Sequence, residues 1–516
     1  MNGSLAQALS SALLAAPIML PSLAGTMSLI FRRRRRWIGA AISIGSCLLQ
    51  VAIAIALISR ASESGPLPYA MGDWPAPFGI VLVLDRLSAW MLLLTALLGL
   101  AVAGHVTLTG LDRKGWHFHP VFQFQLLGVN GAFLTGDLFN LFVFFEILLI
   151  ASYGLLLHGQ GARRLTAGVQ YVIVNLTGST LFLVALGMLY GVTGTLNMAD
   201  MALRAAAIPQ GSRGMLEAAG LLLIAVFALK AALLPLHLWL PRAYASAAPP
   251  VAALFAIMTK VGAYAIIRVC PMIFGRDVET ILIVTALGTI ALGFIGMLAA
   301  RHLRDMAAFG LIGSTGTLLV AIALFSQDGL AAALYYLPHT TLAAALMFLT
   351  VDLVVRWRGM EGDAIVPTPA FAGQVLTGVL FLGAGVALAG LPPLSGFIGK
   401  LLILDASLAS PLPQPLAATI WAVILVTSLV AVVALARAGS TVFWKHDATP
   451  PPQRERDAPH TIEALPAVFL LALLGALTLG AGAATRYTEA MAAQVLDRDG
   501  YIEAVLGPAP HAGEAR

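Results

Sequence analysis

Charged side chains are scarce in this sequence. Asp, Glu, Lys and Arg make up only 11% of its 516 residues, where a soluble protein carries about a quarter, and that deficit excludes a soluble enzyme. Cysteine is nearly absent as well. Cys47 and Cys270 both lie inside apolar runs, and two lone thiols cannot supply the close-spaced ligand set of an iron–sulfur cluster or a structural zinc. No cofactor and no metal site is therefore expected. The sequence also lacks any polar stretch of roughly 100 residues that could fold as a separate soluble domain. With no nucleotide-binding or catalytic head, its function has to be carried out inside a membrane.

What remains is apolar. Hydrophobic residues make up 59% of the chain and the mean hydropathy is +0.89. At roughly 35 residues per span and connection, the length holds about fourteen transmembrane helices, an all-α polytopic membrane fold. The first span falls near 5–30, too long for a signal-peptide core. Others of interest fall near 79–108, 137–158, 215–238, 247–272, 330–355 and 371–405, and the last near 464–486.

An even number of spans puts both ends on one side, and the basic residues then decide which side. One set of connections carries 17 Lys and Arg, including the run Arg32 to Arg36, Arg113, Lys114, Arg163, Arg164, Arg242, Arg454 and Arg456. The other set, tails included, carries 8, among them Arg204, Arg268, Arg498 and Arg516. The richer set is read as cytoplasmic, which leaves both termini outside. The net charge of +5 and the arginine run thus report orientation, and no nucleic-acid partner is expected.

Of the five basic residues left, Arg86 and Arg437 lie near span ends, where a long side chain can reach the headgroups, but three lysines escape this account. Lys230, Lys260 and Lys400 lie inside apolar spans, where an ammonium is costly and marks function by default. Glu146, in Phe144-Phe145-Glu146, is the one carboxylate placed deep in a span. Lys230 is its expected partner; a static ion pair that merely fixes two helices is the plainer alternative. Pro235 follows Lys230 closely. A proline removes its own N–H and displaces a carbonyl one turn earlier, so the seventh helix should break just after Lys230. Such a break is tolerated only where protein or water covers it. His237, two turns from Lys230 on the same face, can pass protons near neutral pH or can be a satisfied boundary histidine. The twelfth span repeats the device with Pro392, Pro393 and Gly396 before Lys400. Broken helices in corresponding places of two halves point to an ion path. Pro338 is expected to break the eleventh helix beside His339, whose ring Thr340 and Thr341 could satisfy. Glu146, Lys230, His237, Lys260, His339 and Lys400 together compose a proton relay.

These segments, with Asp85-Arg-Leu-Ser-Ala, Lys260-Val-Gly and Leu391-Pro-Pro-Leu-Ser-Gly-Phe-Ile-Gly-Lys400, resemble the antiporter-like subunits shared by Mrp-type cation/proton antiporters and the proton-pumping arm of respiratory complex I. Within that family, Val169 to Leu183, Tyr190 to Asp200 and Tyr501 to Gly507 resemble the D subunit of the proteobacterial Mrp form. The resemblance implies two inverted five-helix repeats, over residues 119–272 and 278–444, after three helices in 1–118 and before a last helix and short external tail in 464–516. It further implies Glu146 and Lys230 as a coupling pair, Lys260 as central carrier and Lys400 as terminal carrier. The activity implied is Na⁺(K⁺)/H⁺ exchange in a bacterial inner membrane, performed with the other subunits of a complex. A pump module of complex I or a membrane hydrogenase is the alternative. Many relatives have a lysine where this chain has Ala344, so water or His339 would have to bridge Lys260 and Lys400.

Overall fold

A computed structural model describes residues 2–31, 36–273, 276, 278–359, 361–445 and 460–507. Helices α1 (Asn2–Phe31) and α2 (Arg36–Ser64) lead through a hairpin, β1 (Leu67–Ala70) and β2 (Val81–Leu84), into α3 (Arg86–Thr109). Leu67 pairs with Leu84 in the antiparallel hairpin. Next come α4 (Phe118–Leu134), α5 (Leu138–Leu156), α6 (Ala162–Thr193), the short α7 (Met198–Ala207), α8 (Gln210–Lys230), α9 (Trp239–Ser246), α10 (Pro249–Phe255) and α11 (Met258–Ile273). The second half holds α12 (Glu279–Ala299), α13 (Leu303–Ala323), α14 (Gln327–Arg358), α15 (Gln374–Ala389), α16 (Ser395–Ala409) and α17 (Gln414–Gly439). The chain then closes with α18 (Leu465–Leu479), α19 (Ala481–Leu496) and α20 (Arg498–Leu506).

Among the described residues, eleven segments are long and apolar enough to cross a membrane, so this is a multi-pass membrane protein. That measure does not reach the expected fourteen. α4 has only 17 residues, α8 stops at Lys230, and the twelfth expected span is split between α15 and α16. Helices α10, α11, α13 and α14 form the centre. Every residue in the most apolar stretch of Pro249–Pro271 is buried, whereas α1, α2, α17 and α18 turn much of their surface outward.

Polar stitching holds the helices at close quarters. In α1, Pro21 deprives the Pro17 carbonyl of its helical donor. Asn130 of α4 supplies one instead, at 2.8 Å, and also donates to Gln50 of α2 at 2.9 Å. His105 of α3 meets Asp352 of α14 at 3.0 Å. Helices α12 and α13 touch backbone to backbone, since a Cβ at Gly293 would lie 2.3 Å from the Gly313 nitrogen.

Several expectations need correction. Residues 81–84, placed at the start of the third span, form β2 instead. Helix α14 runs unbroken through Pro338. A proline removes one helical bond, and a helix packed on nearly all sides by α10, α13, α15, α16 and α18 keeps its path despite that loss. Conversely, the eighth span is interrupted at Ala256 and Ile257, where no proline or glycine announces it. The last span bends at Gly480 and continues as α19, whose Tyr487 packs 5.6 Å from Trp90 of α3, and α20 follows it up to Leu506.

Contacts between connections separate two ends of the bundle. At one end Leu82 bridges Thr135, Asp137 bridges Asn197, and Arg498 donates to the Ala202 carbonyl. At the other, His302 bridges Ala364 and Arg356 pairs with Glu463 at 3.3 Å. These are the two sets of connections distinguished by charge, with one exception. Arg268 belongs to no loop: it is buried in α11 and paired with Asp85 at 2.6 Å. Asp85 also caps α3 by accepting from Ser88 N at 2.8 Å. Arg32 to Arg35, Arg454, Arg456 and Arg516 lie outside the described residues.

Candidate functional site

The first break lies where Pro235 placed it. Helix α8 ends at Lys230 and residues 231–238 form turns, with Ala232 in the left-handed region at φ 57°. Protein covers the freed backbone. Trp239 Nε1 donates to the Leu229 carbonyl at 3.1 Å, and Leu234 N donates to Thr289 Oγ1 of α12 at 2.9 Å. Gly262 lets α11 approach, since a Cβ there would sit 2.6 Å from Ala231 N.

Lys230 is buried, with its Nζ 3.4 Å from both the carbonyl and the side-chain oxygen of Asn175 and 3.5 Å from Ser179 Oγ. The expected contact with Glu146 is absent: the two make no ion pair within 4.0 Å. As the last residue of α8, Lys230 turns toward α6, where two oxygens of Asn175 and a serine form a nearer set of acceptors. Its Nζ nevertheless stands 6.0 Å from the ring of Phe145, the residue before Glu146. Glu146 Oε1 is buried with no hydrogen-bond partner. His237 does not share a helical face with Lys230, because the helix has ended; it sits at the far end of the turn, buried, with Nδ1 unpartnered.

Lys260 is wholly buried in the first turn of α11, directly after the break at Ala256 and Ile257. Its Nζ donates to Thr315 Oγ1 of α13 at 3.2 Å and to Thr259 Oγ1 at 3.3 Å. Next to Thr315, Ser314 accepts from Thr340 of α14 at 2.7 Å. Next to Thr340, His339 bonds through Nδ1 to Ser395 Oγ of α16 at 3.0 Å. Thr340 and Thr341 therefore do not satisfy the imidazole; Thr341 bonds within its own helix to Leu337. Adjacent hydroxyls and the imidazole thus form a polar row from α11 across α13 and α14 to the second break. Ala344, on the same helix as His339, is buried, and its methyl group offers no hydrogen bond.

The second break separates α15 from α16 at residues 390–394. Gly390 ends α15 at φ 73°, a conformation glycine takes without penalty. It also leaves room for a side chain: a Cβ there would lie 2.6 Å from Lys400 Cδ and 3.0 Å from its Nζ. Through that gap Lys400 reaches back to the unpaired carbonyl of Ala389 at 2.8 Å and donates to Ser428 Oγ of α17 at 2.7 Å. Gly396 admits His339 in the same way, its Cβ position being 2.5 Å from the Ala387 oxygen and 2.7 Å from the imidazole.

Residues 135–427 match the family described as NADH:quinone oxidoreductase/Mrp antiporter, TM. All six titratable residues and both predicted breaks fall in that stretch. Over 97% of its length the chain is 40% identical to the probable D subunit of a K⁺/H⁺ antiporter of Rhizobium meliloti (strain 1021), of which it covers 98%. The chain belongs to the family of Mrp antiporter D subunits. It is also 34% identical, over 95% of its length and 98% of the relative, to the D subunit of a Na⁺/H⁺ antiporter of Bacillus subtilis (strain 168). Among solved structures it is similar to a chain of the Mrp complex from Dietzia sp. DQ12-45-1b, with a TM-score of 0.85, 29% identity, and coverage of 97% of this chain and 100% of that one.

For this member of the Mrp family the reading from residue types found the titratable groups and missed the neutral ones. Asn175, Ser179, Thr315, Ser395 and Ser428 hold the lysines and the histidine in place, and Ser314 receives Thr340. The four-residue spacing of Asn175 and Ser179, which puts them on one helical face, is a usable signal for the first pair.

Proposed function

We propose that this subunit conducts protons for a multi-subunit antiporter that exports K⁺ or Na⁺ across a bacterial inner membrane in exchange for H⁺. The single observation that carries the proposal is the coincidence of buried lysines with helix breaks, linked by hydroxyls and one imidazole. Lys230 ends α8 at the first break, Lys260 follows the break before α11, and Lys400 spans the second. Glu146 and Lys230 act as the coupling pair, His237 exchanges protons at the exposed side of the first break, Lys260 is the central carrier and Lys400 the terminal one. In place of a lysine at Ala344, the pairs Thr315–Ser314 and Thr340–His339 and then Ser395 carry the connection from Lys260 to Lys400. One charge crossing 100 mV is worth about 2.3 kcal/mol, so an exchange that admits extra protons can expel cations uphill.

Two repeats, residues 119–272 and 278–444, fit this use of the fold. In each, the fourth of five membrane segments is broken and bears a lysine, α8 in the first and α15–α16 in the second; in the first repeat the fifth segment, α10–α11, is interrupted as well. The partners are the other subunits of the complex and the surrounding lipid, and the basic connections are placed in the cytoplasm with both termini outside. A redox pump module would use the same relay; full-length similarity to antiporter D subunits favours exchange.

The test is a pair of substitutions in the assembled complex. Glu146→Gln and Lys230→Ala are each expected to abolish cation-dependent proton flux in everted vesicles while the subunit still accumulates and assembles. A variant that assembles and exchanges at the parental rate would make the pair structural and this proton route wrong.

A further inference from the structure

A cavity of about 640 Å³ opens between α6, α9 and α13 at the end of the bundle that carries the basic connections. Arg163 and Arg242 project into it, with Thr166, Gln170, Asp305 and Leu238 completing the wall that matters here. Arg242 donates from Nη1 to Gln170 Oε1 at 3.2 Å, which holds its exposed guanidinium at the wall. With two cations and a single carboxylate, the lining is net positive. The mouth is also apolar on its outer side. Leu238 is 69% exposed, and beside the cavity α6 presents Leu165, Val169, Ile173 and Leu176, all more than half exposed, one above the other along a single face.

We propose that this cavity holds the headgroup of an anionic phospholipid. A charged pocket that continues into an exposed apolar stripe matches a molecule with a phosphate at one end and acyl chains at the other. A bidentate guanidinium is suited to phosphate oxygens, and basic pockets between helices near the membrane surface bind lipid headgroups on the same grounds. Asp305, across from the arginines, accepts from a headgroup hydroxyl of the phosphatidylglycerol type. None of these residues belongs to the proposed relay. The site nevertheless borders it, because Leu238 closes the turn after Lys230 and Arg242 rides on α9, the helix that resumes beyond the break. A lipid seated here braces the broken segment from the bilayer side.

The experiment uses the whole purified complex and photoactivatable phosphatidylglycerol, with cross-linked peptides mapped by mass spectrometry. Labelling is expected within 163–170 or 238–246. It should fall at least tenfold in Arg163→Gln/Arg242→Gln and persist in Arg163→Lys/Arg242→Lys. Leu238→Glu, which removes no arginine, is expected to lose labelling as well and serves should the glutamine pair fail to assemble. Unchanged labelling in Leu238→Glu or the glutamine pair, or equal labelling by phosphatidylethanolamine, would overturn the proposal. So would displacement of the lipid by millimolar inorganic phosphate, which would indicate a free-anion site. Cross-linking of these segments to another subunit in place of lipid would refute it as well.

Discussion

Gly390→Ala is the substitution that separates the position of a charge from its presence. The variant keeps Lys400 but puts a methyl group where its side chain runs, 2.6 Å from Cδ and 2.8 Å from Cε, well inside van der Waals contact. The left-handed backbone at φ 73° adds roughly 1–2 kcal/mol for any residue with a Cβ. If the ammonium is pushed from either Ala389 O or Ser428 Oγ, a hydrogen bond to a charged group worth about 1.5–3 kcal/mol is lost too. The local cost is then about 2.5 to 5 kcal/mol. Gly378→Ala in the same helix is the control, because its Cβ would meet Phe443 at 3.6 Å, an ordinary contact. It should be neutral or stabilising by about 0.5–1 kcal/mol. Proton flux in everted vesicles, normalised to subunit content, is expected to collapse in Gly390→Ala and survive in Gly378→Ala. Parental flux in Gly390→Ala at normal abundance would show that the seat of the Lys400 ammonium is immaterial, and the terminal carrier would have to be sought elsewhere.

Breaking the Asp85–Arg268 pair with Arg268→Met should cost about 3–5 kcal/mol in thermal unfolding of the purified complex, with much of it recovered in Asp85→Leu/Arg268→Met. A single variant as mild as the double would show that the pair is not an uncompensated-charge problem. His158 sits in the connection before α6 with Nε2 bonded to the Leu111 carbonyl at 3.0 Å. Burial, abetted by the Arg164 and His119 charges, holds its pKa below the ordinary 6.5 despite the Leu111 bond and Asp112. Folding therefore favours the neutral ring, so this contribution to stability is complete above pH 6.5 and is lost as the pH falls below it. His158→Gln should flatten that slope, and an unchanged pH profile would refute the assignment. Single cysteines in 446–460 should be shielded from an impermeant reagent applied outside, while those beyond 490 should react; the reverse pattern would invert the topology.

Proline and lysine made the breaks legible, but only where the surroundings agreed. Pro235 and the pair Pro392–Pro393 end helices because Gly390, Trp239 and Thr289 are present to receive the loosened backbone. Pro338 sits in a helix clasped on nearly all sides, so its missing bond is absorbed. The interruption at Ala256 and Ile257 carries no breaker residue, so no local pattern announces it. The six titratable residues could be found from their depth in apolar runs. Their partners could not: charge and the family resemblance both point to Glu146 for Lys230, and geometry gives Lys230 to Asn175 and Ser179 instead. Asp85 and Arg268 lie far apart in the chain, and nothing in their local sequences joins them.

The bond from Leu234 N to Thr289 ties the turn after Lys230 to a helix of the other half. Helix α12 in turn lies backbone against backbone on α13 along the Gly293–Gly313 contact, and α13 carries the hydroxyls that hold Lys260 and face Thr340. Rewinding or lengthening that turn therefore pulls on the very surface that seats the next lysine. The two lysine sites therefore share one rigid body of packed helices, and the proposed relay would be joined mechanically through α12 and α13 as well as by its polar groups.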